Sequence, residues 1–91
     1  MKHIFIINPA AGKDGRPLHL LPQIKALADR LQLAYQLHLT TACGEAIDFT
    51  RACCQQNQGL DLRFYAVGGD GTLNEVVSGA VGCQNAQIAC L

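Results

Sequence analysis

The spacing of apolar and polar residues changes several times along the chain, and each change marks the border of a predicted element. Four short runs, at 4–7, 34–39, 62–67 and 87–91, are mostly apolar or alternate between polar and apolar residues, which is typical of β-strands. Between them, apolar residues recur every three or four positions, as on the buried face of a helix. The predicted helical faces comprise Leu20, Leu21, Ile24, Leu27, Ala28 and Leu31, then Ala46, Phe49, Thr50, Cys53 and Cys54, and finally Leu73, Val76, Val77, Ala80 and Val81.

Proline and glycine place the ends of these helices. Pro22 is tolerated in the first turn of a helix but not in its interior, so we expect the first helix to begin near Leu20 or Leu21. We expect Gly44 to open the second helix and Gly59 to end it.

Strands and helices therefore alternate, which predicts an α/β fold with a parallel sheet and helices on both faces. Ligands of such folds bind at the carboxyl edge of the sheet, where the direction of strand placement reverses. If the loops after the first and third strands contact one ligand, these strands must be neighbours, which gives the strand order 2-1-3-4. The alternating pattern at 34–39 independently favours an edge position for the second strand. We predict a three-layer α/β/α fold with a four-stranded parallel sheet.

Composition narrows the class of protein. The 91 residues are 49% hydrophobic, enough for the core of one small domain. The formal net charge is zero and the basic residues are scattered, which argues against nucleic acid as the main partner. The sequence shows neither a signal peptide nor a run of membrane-spanning length, so we expect a soluble cytoplasmic chain. Its five cysteines form no metal-ligand or disulfide pattern, and we expect reduced thiols.

The strand at 62–67 leads into a glycine-rich turn at 67–77. Gly68, Gly69 and Gly71 lack Cβ atoms, so the backbone can take positive φ values and a bulky ligand can approach it closely. Thr72 and Glu75 have the spacing of a capping box, which predicts that a helix begins here. The free N–H groups of that helix would favour a phosphate.

A carboxylate in the same turn changes the expected chemistry. Asp70 would repel a bound phosphate unless a cation neutralised it, and Mg²⁺ is commonly held by one or two carboxylates together with substrate phosphates. The alternative is a tight turn in which Asp70 only helps to cap the helix. The turn lacks the Gly-Lys-Ser/Thr ending of a P-loop and the third glycine of the dinucleotide fingerprint.

A second loop follows the first strand, at the same predicted edge of the sheet. Pro9 stops the strand and Gly12 frees the backbone. Asn8 could bind a sugar or a base and Lys13 could reach a phosphate, although an ordinary turn with a solvated Lys13 is the simpler explanation of this loop taken alone. Thr40, after the second strand, is by itself most simply explained as a residue at the start of a helix.

Taken together, residues 68–72 resemble the Gly-Gly-Asp-Gly-Thr signature shared by diacylglycerol-type lipid kinases, NAD kinases and phosphofructokinases, and the continuation at 73–77 resembles the lipid-kinase version. Lipid kinases of this type also carry an Asn-Pro-x-x-Gly motif, matched by residues 8–12, although many have Ser or Thr where Ala11 stands. Thr40 matches a threonine with which the family contacts its nucleotide.

The resemblance implies an ATP-dependent kinase that acts with Mg²⁺ in phospholipid biosynthesis and transfers the γ-phosphoryl group to the hydroxyl of a lipid such as diacylglycerol. It implies that Asp70 is catalytic and meets the metal. The implied nucleotide-binding residues are Asn8, Pro9, Ala10, Ala11, Gly12, Thr40, Gly68, Gly69, Asp70, Gly71, Thr72, Leu73, Asn74 and Glu75.

Family members are much longer than this chain, so residues 1–91 are expected to be the N-terminal nucleotide-binding part of a truncated catalytic domain, inactive alone. The resemblance places a further glycine-rich segment and a β-rich second domain, with the base and most of the lipid site, beyond it. We expect a location in the cytoplasm or at the inner membrane face, and association through the exposed edge of the fourth strand. The alternatives are a non-catalytic nucleotide-binding α/β module and an NAD kinase or sugar kinase. The sequence leaves the lipid unidentified.

Overall fold

A computed structural model describes residues 1–11 and 16–91 and places them around a four-stranded parallel sheet. The strand order is β2-β1-β3-β4, and helices flank both faces, which confirms the predicted fold class and order. The strands are β1 (Lys2–Ile7), β2 (Tyr35–Leu39), β3 (Leu62–Val67) and β4 (Ala86–Cys90).

Four helices accompany these strands, namely α1 (Arg16–His19), α2 (Leu21–Arg30), α3 (Glu45–Gln56) and α4 (Asp70–Ala80). Pro22 lies in the first turn of α2, as predicted. The single turn of α1 was not predicted, because four residues are too few to show a helical period. Gly59 lies in the turn after α3 rather than at its end, since α3 stops at Gln56.

The central strand β1 is buried on both faces, as its continuous apolar run predicts. Ile4 and Ile6 belong to a core cluster shared with α3 and α4. Phe5 and Ile7 face the other side and pack against residues of α2. In contrast, the residues of β2 are half-buried or exposed, which agrees with the predicted edge position of this strand.

Some positions of the predicted helical faces are exposed, and here the prediction was wrong. Val77 and Val81 are 46% and 79% exposed, and Leu27 and Leu31 are 54% and 55% exposed. In α4 the cause is a close approach to α3: a Cβ on Gly79 would lie 2.5 Å from the carbonyl oxygen of Ile47. This contact turns the face containing Gly79 inward, so that Val77 lies on the solvent side. In the part of the chain that the structure describes, no helix is both long and apolar enough to cross a membrane.

Candidate functional site

The loops after β1, β2 and β3 meet at the carboxyl edge of the sheet. The N–H group of Asn8 donates to the carbonyl oxygen of Val67 over 2.9 Å, and that of Thr40 donates to Ile7, also over 2.9 Å. These two bonds continue the pairing of the strands into the loops. The order of the sheet thereby brings Asn8 between the end of β3 and Thr40.

A cleft of about 340 Å³ opens where these loops meet the first turns of α4. Three of the segments singled out in the sequence contribute to it: the loop after β1, the residue Thr40 and the start of α4. A loop that we call the wall loop, residues 40–44, forms the opposite side. The cleft is lined by Asn8, Pro9, Ala10, Thr40, Thr41, Ala42, Cys43, Ala46, Thr72 and Glu75.

The glycine-rich turn packs directly against the loop after β1. Gly68 has a φ of +148°, and a Cβ there would lie 2.7 Å from Oγ1 of Thr72 and 2.9 Å from Cβ of Asn8. Gly69, with a φ of +94°, also has a backbone that other residues rarely adopt, although no described atom lies within 4 Å of where its Cβ would be. Glycine is thus required at position 68 for two reasons, which are the close approach of Thr72 and Asn8 and the positive φ of the backbone.

Helix α4 begins directly at this turn, with Gly69 as its N-cap and Asp70 as its first residue. The predicted capping box was wrong, because Thr72 lies inside the first turn, where it is 3% exposed, and no side chain among the described residues caps the helix. The N–H groups of the first turn therefore point beyond the helix end with their partial positive charge, which is a favourable position for an anion.

The carboxylate of Glu75 instead contacts the wall loop. Its Oε1 atom accepts a hydrogen bond of 3.0 Å from the N–H group of Gly44, which lies 31 residues earlier in the chain. Gly44 has a φ of +86° and is the N-cap of α3. Sequence reasoning missed this contact, because nothing in the local pattern around Glu75 points to a partner so far away.

A second carboxylate holds the other end of the wall loop. Oε1 of Glu45 accepts a hydrogen bond from the N–H group of Thr41 over 3.2 Å. Both oxygens of Glu45 lie 2.8 Å from Nε2 of His38, whose ring stacks on Phe49 with 3.7 Å between the ring centroids. Neither Glu45 nor His38 was predicted as part of the site, although a glutamate four residues after Thr41 at a helix start is a local signal that could have been used.

The polar side chain of Asn8 is partly used within its own loop. Its Oδ1 atom accepts a hydrogen bond of 3.0 Å from the N–H group of Ala10, which is the geometry of an Asx turn. The other polar group of this side chain is its NH₂ donor. Asn8 could therefore meet an acceptor on a sugar or a base.

Other predicted site residues lie elsewhere. Leu73 packs against the core cluster that α4 shares with α3. Asn74 is exposed and lies outside the linings of both cavities that the described residues form at this edge. Gly12, predicted as a nucleotide contact, and Lys13, considered for a phosphate, lie outside the described residues.

The second cavity, of about 200 Å³, lies on the other side of the glycine-rich turn and is mainly apolar. Ala11 lines this cavity rather than the cleft. Arg16, which sequence reasoning did not identify, lines the same cavity as Gly68 and Gly69. The complete lining is Ala11, Arg16, Pro17, Leu20, Val67, Gly68, Gly69 and Leu91.

The oxygen ligands of the glycine-rich turn could hold Mg²⁺ only together with the oxygens of a bound phosphate. Asp70 is exposed at the start of α4, and within residues 1–11 and 16–91 there is no group of three or more His, Cys, Asp or Glu side chains that could hold a metal ion. One carboxylate, a helix N-terminus and a turn without Cβ atoms suit a nucleotide phosphate with its cation. The five cysteines, all within the described residues, are free thiols.

Comparison with known protein families gives a match over nearly the whole chain. The family model described as the diacylglycerol kinase catalytic domain matches residues 2–91. The match includes every loop of the cleft. A search of the curated proteins finds no match.

Proposed function

Because the chain belongs to the diacylglycerol kinase catalytic domain family, we propose that residues 1–91 are the ATP-binding part of a lipid kinase. The observation that carries the proposal is the cleft of about 340 Å³, where the loops after three neighbouring strands meet the N-terminus of α4. This volume is that of a small-molecule site, and its position is the one at which open parallel sheets bind ligands.

Each side of the cleft has a distinct role. Asn8 and Thr40 bind the nucleoside part, since they offer an amide and a hydroxyl on the inner side of the loops. Gly68 and Gly69, which line the second cavity beside the cleft, let the phosphates approach the backbone of the glycine-rich turn, and the N-terminus of α4 stabilises their charge. Mg²⁺, when bound with the nucleotide, neutralises phosphate charge. Asp70 would hold that cation.

The acceptor in this proposal is the hydroxyl of a lipid such as diacylglycerol, in a step of phospholipid biosynthesis. The base and most of the lipid site belong to a second domain outside this chain, as the family resemblance implies. The protein works in the cytoplasm, at the inner face of the membrane where such a lipid lies. Residues 1–91 alone bind ATP and do not turn over.

Calorimetric titration with ATP tests the phosphate site. In the presence of Mg²⁺ the wild-type chain should bind ATP at least about tenfold more tightly than Asp70→Ala, because the variant loses a charge-assisted contact to the cation. With EDTA the difference should vanish or reverse, since the carboxylate then only repels phosphate. Asp61→Ala, which removes an exposed acid before β3, is the control and should bind like wild type. Equal affinity of wild type and Asp70→Ala with Mg²⁺ would refute the phosphate site.

Product analysis tests the reaction. A longer protein that carries this chain should convert diacylglycerol and radiolabelled ATP into phosphatidate, whereas the 91-residue chain should show no turnover. Phosphorylation of NAD or of a sugar in place of lipid would overturn the lipid-kinase proposal in favour of the corresponding kinase. Binding of ATP by the longer protein without any transfer would indicate a non-catalytic module.

A further inference from the structure

Among the described residues, the middle of the wall loop makes one backbone hydrogen bond, in which the N–H group of Glu45 donates to the carbonyl oxygen of Ala42 over 3.1 Å. Thr41, Ala42 and Cys43 are exposed, and Gly44 has a left-handed backbone. Even so, the loop forms one whole side of the cleft. Its position must therefore be set by the groups at its two ends.

At the first end, the backbone of the loop is tied to the sheet and to α3. Thr40 donates to Ile7 of the central strand over 2.9 Å, and Thr41 donates to the carboxylate of Glu45 over 3.2 Å. Ile7 belongs to β1 and Glu45 to α3, and neither element lies across the cleft from the loop. These bonds fix where the loop leaves β2, but they do not set its distance from α4.

At the other end, one hydrogen bond among the described residues joins the loop to the facing side of the cleft. The N–H group of Gly44 donates to Oε1 of Glu75 over 3.0 Å, and Glu75 itself lines the cleft beside Thr72. Both residues are half-buried, so water competes less for this bond than it would at an exposed site. The packing of α3 on α4 at Gly79 sets the distance between the two helices. At the wall loop, where α3 begins, that distance depends also on the reach of the Glu75 side chain.

We propose that Glu75 is a positioning residue, which holds the wall loop against α4 and thereby sets the width of the nucleotide cleft. It acts as a hydrogen-bond acceptor of fixed length for Gly44, and its negative charge does not meet the metal or the nucleotide. The proposal deepens the proposed function and rests on it for the identity of the ligand. The anchoring contact can be tested without any nucleotide.

Two substitutions at Glu75 distinguish the effect of side-chain length from the effect of negative charge. Glu75→Gln removes the charge but keeps an oxygen at the same distance, so Gly44 keeps its acceptor. Glu75→Asp keeps the charge but is one methylene shorter, so the carboxylate no longer reaches Gly44. If Glu75 bound the cation, the aspartate variant would be the better tolerated. Asp48→Ala, which removes an exposed acid in the first turn of α3, is the control.

Amide hydrogen exchange on the nucleotide-free chain provides the first readout. We expect the Gly44 amide to exchange about tenfold faster in Glu75→Asp than in wild type, and to remain protected in Glu75→Gln and in the control. Unchanged exchange in Glu75→Asp would overturn the proposal whether or not the chain binds ATP. A failure of wild type to bind ATP would instead refute the proposed function and leave the exchange result standing.

The affinity for ATP with Mg²⁺ provides the second readout. We expect Glu75→Gln to bind within about twofold of wild type and Glu75→Asp to bind about tenfold more weakly, because one charged hydrogen bond is lost from the wall of the site. The reverse order, with Glu75→Gln weaker and Glu75→Asp unaffected, would show that the charge meets the ligand, and would overturn a positioning role.

Discussion

At the scale of single residues, Gly68 links the two loops from which the site is built. It meets Thr72 on one side and Asn8 on the other, so the glycine-rich turn and the loop after β1 form one packed unit. A change at this residue should therefore alter both the stability of the fold and the shape of the cleft.

We expect Gly68→Ala to lower the free energy of unfolding by about 1–3 kcal/mol, since it adds a strained positive φ and a steric overlap. Urea denaturation measures this change. Gly71→Ala is the control for the substitution itself: its φ is ordinary, no described atom lies within 4 Å of its Cβ position, and the change should be neutral or stabilising. Equal losses in the two variants would contradict the packing argument.

His3 should make the stability of the fold sensitive to acid. Burial first, and then the positive charges of Arg63 and the N-terminus, lower the pKa of His3 from its ordinary value of 6.5. The unfolded chain then takes up a proton at a pH at which the folded chain does not. The contribution of His3 is therefore intact above pH 6.5 and is lost as the pH falls below 6.5 towards the lowered pKa.

The variant His3→Gln isolates this effect, because the glutamine can still contact the hydroxyl of Tyr65 to which Nδ1 of His3 is hydrogen-bonded. Between about pH 7.5 and about pH 5.5, the melting temperature of wild type should fall more than that of His3→Gln. If the melting temperatures of wild type and His3→Gln fell equally over this pH range, the assignment of the pH dependence to His3 would be refuted.

Some residue roles could be predicted from the sequence and others could not. Gly68 and Asn8 could be placed in neighbouring loops at one edge of the sheet, because glycines and a strand-ending Asn-Pro carry local signals. The role of Glu75 was misjudged, because its spacing from Thr72 fits a capping box equally well. Its true partner, Gly44, becomes visible only when α3 and α4 are placed side by side.

At the scale of elements, the crossing of α3 and α4 determines which face of α4 is buried. Gly79 allows the two backbones to approach closely, against Ile47 and Thr50. Periodicity placed α4 correctly but not its rotation, since an apolar stripe that contains both Val76 and Val77 is compatible with more than one orientation. Contact through Gly79 selects the orientation in which Val76 is buried.

We expect Gly79→Ala to reduce the free energy of unfolding by about 1–3 kcal/mol, even though alanine is the better helix former. The reason is that the added Cβ would overlap backbone atoms of α3, which have no freedom to rotate away. Chemical denaturation, again with Gly71→Ala as the control in the same helix, measures the effect. A stabilised Gly79→Ala variant would mean that the helices separate more easily than their contact indicates.

At the scale of the whole molecule, the order of the strands could be predicted because two independent arguments agreed. Shared ligand loops required β1 and β3 to be neighbours, and the half-polar pattern of β2 required an edge. The shape of the cleft could not be predicted in the same way. It depends on the wall loop, which is held in part by the bond between Gly44 and Glu75, and these two residues are 31 positions apart in the sequence.

The 91-residue chain should also associate with itself. In the described structure β4 has β3 as its one strand neighbour, which leaves its other edge open to another strand. Since the N–H group of Leu91 donates to Ala66, that of Cys90 points to the open edge. Light scattering should show dimers or larger species of wild type at high concentration, and fewer of Cys90→Pro, which removes this donor.

Cys90→Ser is the control for that experiment, because it keeps the backbone donor and removes the exposed thiol. It should associate like wild type. A monomeric wild type at high concentration, or loss of association in Cys90→Ser, would contradict pairing through the edge of β4.

The pairing of β1 with β3 affects the order in which the sheet can form during synthesis. His3 lies opposite Arg63, so β1 receives its second neighbour only after some sixty further residues have been joined. At about 5–20 residues per second, β1 waits for several seconds with one flank uncovered. Its apolar run at 4–7 therefore stays uncovered on that flank until β3 has been made, and the cleft can form only after β3 and the start of α4 have been added.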